Sequence, residues 1–103
     1  MSYRELLDEH LRLAILQLLE QDVDYAHNEI VLQGALEQLG HGVSFDRLRS
    51  ELAWLGEQGL IVVTDVVGLQ LAKLTRRGAD AARGRARIPG VARPSPAAEW
   101  EEK

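Results

Sequence analysis

Arg47 and Arg49 stand two residues apart in VSFDRLRSEL, with Ser44 before them and Ser50 after. Guanidinium groups match guanine edges and phosphate oxygens in pairs, and serine hydroxyls bond phosphate, so this set carries the chemistry of duplex DNA binding. A second group, Arg76, Arg77, Arg83, Arg85, Arg87 and Arg93, shares residues 76–94 with Asp80 as the sole acid, a local balance of +5. Residues 1–75 carry −7, and the chain as a whole −4. That asymmetry points to an anionic partner for the basic segment, the plain alternative being a solvated tail.

Catalytic chemistry has no comparable set. His10, His27 and His41 fall in different segments, without the i, i+4 pairing of a helical metal site, and the chain has no cysteine. No P-loop, nucleophile elbow or paired-glycine nucleotide motif occurs, and Glu9 beside His10 is one pair on a polar strip. No catalytic residue, metal or cofactor is expected. Nothing resembles a signal peptide, and no run approaches the ~20 apolar residues that span a bilayer, so the expected site of action is the cytoplasm, away from membranes.

These residues need elements to position them. A chain of 103 residues that is 46% hydrophobic suits one domain with a modest core. Residues 3–20 lack Gly and Pro and read as a first helix. Its stripe of Leu7, Leu11, Ala14, Ile15 and Leu18 is widened by Leu6, Leu13, Leu16 and Leu19. So broad an apolar arc predicts burial on more than one side, and hence a homodimer contact through Leu6, Leu13 and Leu16. The alternative is cover by strand and tail within one chain. Residues 21–27 read as a polar connection; Asn28 caps a second helix that stops at Gly40.

Ser44 caps the third helix, in which Leu48, Leu52 and Leu55 form the buried stripe. Asp46, Ser50, Ala53, Trp54 and Glu57 then point outward, with Arg47 and Arg49 flanking them. Gly59 ends the helix. Strands follow over 60–65 and 69–74, joined by a short acidic turn, Asp65 to Gly68. Thr75 caps a last short helix that ends at Gly84. The order helix, helix, helix, strand, strand, helix is that of a winged helix-turn-helix, an α+β fold that is mainly helical with a small hairpin. Residues 1–84 form that domain, and 85–103 an extended arm with a frayed end, in which Ile88 and Val91 are the apolar anchors expected on a partner subunit.

The segment VSFDRLRSELAWLGEQGLIVV with LAKLTRRG resembles winged-helix regulators of the MarR and ArsR type, through Leu55, the Gly59–Leu60 step and Leu74–Thr75–Arg76–Arg77–Gly78. The resemblance implies DNA recognition at Ser44, Phe45, Asp46, Arg47, Arg49 and Ser50. Arg76 and Arg77 would add sequence-independent attraction. The short acidic wing departs from that family. Over nearly its full length the chain is similar to a small protein of Mu-like phages and prophages, through LRLAILQLL, ELAWLGEQGL and GRARIPGVARPSP. The expected function is therefore a phage-derived, homodimeric, DNA-binding regulator with its third helix in the major groove. The alternative is a non-catalytic adaptor that uses Trp54 and its acidic neighbours on another phage protein, the plain alternative for Trp54 itself being packing against the first helix or the wing strands. Trp100, among acids near the C-terminus, is read as a bystander rather than a docking element.

Overall fold

Three of the four helices open on the capping residue the sequence marks, and the first on Ser2, which it does not single out. A computed structural model describes residues 1–95, so Trp100 lies outside the described residues. Helix α1 (Tyr3–Glu20) starts on a reciprocal capping box: Glu5 N–H donates to Ser2 Oγ at 3.1 Å and Ser2 N–H to Glu5 Oε1 at 2.9 Å. Asn28 caps α2 (Glu29–Gln38), Ser44 caps α3 (Phe45–Glu57) and Thr75 caps α4 (Arg76–Ala82). Gly40, at φ +87°, turns the chain out of α2 by the left-handed step that favours glycine.

Strands β2 (Ile61–Val66) and β3 (Leu69–Leu74) form an antiparallel hairpin, with Ile61 opposite Leu74 and Val66 opposite Leu69. A third strand, β1 (Ala26–Asn28), lies within the stretch read as mostly polar connection. It pairs antiparallel with the other edge of β3, His27 opposite Ala72, so the sheet order is β1-β3-β2. Ala-His-Asn has no strand pattern of its own. It is extended because β3 presents an unpaired row of backbone groups that would otherwise lack partners.

The hairpin turn is tighter than the sequence suggests. Only Val67 and Gly68 lie between the strands, at φ +53° and +81°, so both central positions are left-handed. The Asp65 carboxylate accepts the Gly68 N–H at 2.8 Å and braces the turn.

Helix α1 packs against α2, α4 and β3. This answers its wide apolar arc: Leu11, Leu13, Ile15, Leu16 and Leu19 are all buried within the chain, with Leu32, Leu36, Leu48, Leu52, Leu55 and Leu60 around them. The Leu48–Leu52–Leu55 stripe is fully buried, as its spacing requires. Residues 85–95 have no regular helix or strand, yet they join the same core. Ala92 N–H donates to the Glu9 carbonyl on α1 at 3.1 Å, and Ile88 and Val91 are buried. Among the described residues, no helix is long and apolar enough to cross a membrane.

Candidate functional site

The outward face of α3 carries Asp46, Ser50, Ala53 and Glu57, all exposed as the helical wheel predicts. At its N-terminal end it continues into the hairpin and the start of α2. Phe45 is 42% exposed, Ile30 57%, Val66 51% and Val67 100%. A shallow cleft lined by Ile30, Phe45, Asp46, Arg49, Gly68 and Leu69 joins the three elements. The face is therefore apolar and acidic around a single arginine.

That arginine is held by its own fold. Arg49 Nε and Nη2 donate to the two oxygens of Glu29, each at 2.6 Å, and Nη2 also reaches the Gly68 carbonyl at 3.1 Å. Glu29 is almost wholly buried and accepts a further bond, from the Gln70 N–H at 2.7 Å. The Arg49 bonds, helped by Gln70 and opposed by burial, hold the Glu29 carboxyl below the usual carboxylate range. One carboxylate thus ties α2, α3 and β3 together. By sequence Glu29 is no more than an acid in the first turn of α2; its partners lie 20 and 41 residues away, and nothing in the local pattern marks them.

Arg47 is likewise committed. Its Nε donates to Glu51 at 2.9 Å and its Nη2 pairs with Asp8 on α1. Glu51 is buried, and its second oxygen receives Arg12 Nε at 2.7 Å. The Arg47–Glu51 spacing of i, i+4 is the one signal that could have found this network. Arg47 and Arg49, the candidate DNA contacts, are thus each bound to a buried carboxylate of their own fold, Glu51 and Glu29, which burial makes costly to abandon. Ser44 serves as the α3 cap, accepting the Arg47 N–H at 3.1 Å.

Trp54 follows the packed alternative. It is half-buried against the core, the Arg12 guanidinium sits over its ring, and the Gly90 backbone lies against it. Its outward wheel position holds, but the arm covers it, so it does not present a free aromatic to a partner. Of the residues expected at a dimer contact, Leu13, Leu16, Ile88 and Val91 are buried within their own chain, and Leu6 alone stays exposed, at 42%.

The basic segment forms a separate surface. Arg76, Arg77, Arg83, Arg85, Arg87 and Arg93 are exposed on α4 and the arm. Arg77 Nε donates to the Gln58 carbonyl at 3.0 Å and Arg83 pairs with Glu20 at 3.1 Å. Among the described residues no group of three or more His, Asp or Glu side chains is placed to hold a metal ion.

No protein-family profile and no solved structure matches the chain. Two proteins do. The first is the uncharacterized protein gp26 of Escherichia phage Mu, 45% identical over 94 residues that cover 91% of this chain and 97% of gp26. The second is an uncharacterized protein of Haemophilus influenzae, 36% identical over 78 residues that cover 75% of this chain and 76% of that protein. The similarity to gp26 runs through the core and nearly the whole length, and the chain belongs to the family of the phage Mu protein gp26.

Proposed function

We propose that this protein is a winged helix-turn-helix module used as a non-catalytic adaptor, in which the face formed by α3, the start of α2 and the β2–β3 hairpin docks on another phage protein. The observation that carries the reading is the state of Arg47 and Arg49: the cations flanking α3 are neutralised within the fold, and Ile30, Phe45, Val66 and Val67 lie exposed beside Asp46 and Asp65. Duplex affinity comes chiefly from cations near phosphates, whereas an aromatic and aliphatic patch with charge at its rim suits a protein. Val67 supports it further. A fully exposed valine at left-handed φ is strained, and such strain gathers where a surface is used.

The test is cross-linked co-purification from cells producing the phage. Phe45→Asp with Val67→Asp loses the phage partner, while Ser50→Gln with Ala53→Gln leaves the folded protein unable to select any duplex that wild type did not already ignore. Selection of one duplex sequence by wild type, abolished by the Ser50/Ala53 pair, would restore the major-groove reading. Self-association has a separate location in this proposal, the start of α1, where Tyr3, Leu6 and Leu7 are exposed. Leu6→Glu with Leu7→Glu then turns a sedimenting dimer into a monomer; a wild-type monomer removes the dimer from the reading.

A further inference from the structure

The six arginines of α4 and the arm are exposed in a fold whose other arginines, Arg4 apart, are paired with carboxylates. Among the described residues Arg76, Arg85, Arg87 and Arg93 have no carboxylate partner, although the chain carries sixteen Asp and Glu. Four of the arginines are joined by shared concavities. Arg76 and Arg83 line one cleft with Tyr25 and Thr75; Arg83 and Arg93 line the next with Pro94; Arg93 and Arg87 line a third with His10 and Pro89. The order Arg76, Arg83, Arg93, Arg87 is thus a continuous stripe rather than a tally of tail charges.

Composition along the stripe separates it from the α3 face. From 76 to 95 no large hydrophobic side chain is exposed, and the exposed aromatic beside the stripe is Tyr25, at its Arg76 end, so no apolar cluster of the kind a protein partner would need lies along it. Its cations are all guanidinium, which meets phosphate oxygens in pairs, and the acids beside it are Asp80 on α4, Glu20, already bound to Arg83, and Glu9 in the Arg87–Arg93 cleft. A concave surface of guanidinium groups with one aromatic at its end binds chiefly by charge. We infer that the stripe Arg76–Arg83–Arg93–Arg87 is a sequence-independent site for the phosphate backbone of nucleic acid, distinct from the α3 face. The arm, docked on α1 through Ile88 and Val91, is what holds the last two arginines in line with α4.

The experiment is fluorescence polarisation with a labelled mixed-sequence duplex and a labelled single strand of the same length, over a salt series. Wild type binds at low salt and log affinity falls with log salt at about −0.9 per contact on duplex, hence roughly −3 to −4 for four arginines. Arg76→Ala, Arg87→Ala and Arg93→Ala together keep the fold by circular dichroism and lower the slope to about −1. The neutral Ser50→Gln, Ala53→Gln pair leaves binding unchanged, which keeps this result independent of the adaptor reading. The two strand probes show whether duplex or single strand is the source of the phosphate. Absence of binding to either at low salt overturns the inference, as does a triple variant with the wild-type slope. Capture of poly-glutamate in place of both nucleic acids overturns it too and assigns the stripe to an acidic protein.

Discussion

The Arg12 guanidinium lies 4.1 Å from the centre of the Trp54 ring, and its Nη1 donates to the Gly90 carbonyl at 3.0 Å. One side chain on α1 therefore holds the α3 tryptophan on its face and the arm by its backbone, while its Nε engages buried Glu51. Cation–π contacts of this kind contribute about 0.5–2 kcal/mol. Their consequence here is positional, because they seat the arm.

Gly90 is the point where that arrangement has least room. Its φ is +93°, and a methyl group added there would lie 2.8 Å from two Trp54 ring carbons. Gly90→Ala is expected to lift residues 88–95 from α1 and cost about 1–3 kcal/mol. In a Trp100→Phe background, Trp54 emission shifts to the red. Unaltered emission and thermal midpoint would count against the seating of the arm.

The Glu29–Arg49 pair is unequal in its exposure, and its two halves should fail differently. Arg49→Ala leaves a buried carboxylate without its cation and is expected to cost about 3 kcal/mol. Glu29→Gln costs about 1 kcal/mol, since the amide oxygen still accepts the Gln70 N–H and Arg49 can turn to water. Urea unfolding measures both, and equal losses would contradict the account. Because the Glu29 carboxyl is lowered in the folded state, its stabilisation is present above the unfolded value and lost as pH falls through the folded one. Between about pH 5 and pH 3, wild type should lose more stability than Glu29→Gln.

Gly78 shows why the Leu74–Thr75–Arg76–Arg77–Gly78 run ends as it does. A Cβ there would lie 2.0 Å from the Leu60 carbonyl oxygen and 2.7 Å from a Leu74 methyl. The same corner has Thr75 Oγ1 bonded to the Gly59 carbonyl at 2.7 Å and accepting the Gly78 N–H at 3.0 Å. Gly78→Ala must push α4 off the start of β2, at a cost of at least about 2 kcal/mol. A calorimetric midpoint within a degree or two of wild type would refute that close approach.

Val67→Asn separates stability from use. Asparagine tolerates the left-handed conformation that strains valine, so the variant gains about 0.5–1 kcal/mol in urea unfolding. Under the adaptor reading it loses affinity for the partner at the same time. A variant less stable than wild type would show that the valine is not strained.

Local chemistry made much of the fold legible. Asn28, Ser44 and Thr75 cap their helices as read, because each places a side-chain oxygen next to backbone N–H groups that no intrahelical carbonyl can reach. Leu48, Leu52 and Leu55 orient α3 by their spacing, and that also settles which of its residues face outward. Family membership was legible by resemblance rather than by chemistry, through runs such as ELAWLGEQGL.

Tertiary structure decided the rest, wherever the partner lies far along the chain. β1 exists because β3 has a free edge, not because Ala-His-Asn favours a strand. Arg47 and Arg49, candidate DNA contacts by sequence, are tied internally to Asp8, Glu51 and Glu29, partners that share no local motif with Arg49 and only one helical spacing with Arg47. Ile88 and Val91, apolar anchors of an arm expected on a second subunit, fold onto α1 of their own chain. A hydrophobic arc read along the sequence states how much surface must be covered. Only the closed chain states what covers it, because burial is set by which distant segments meet and not by the order of neighbours.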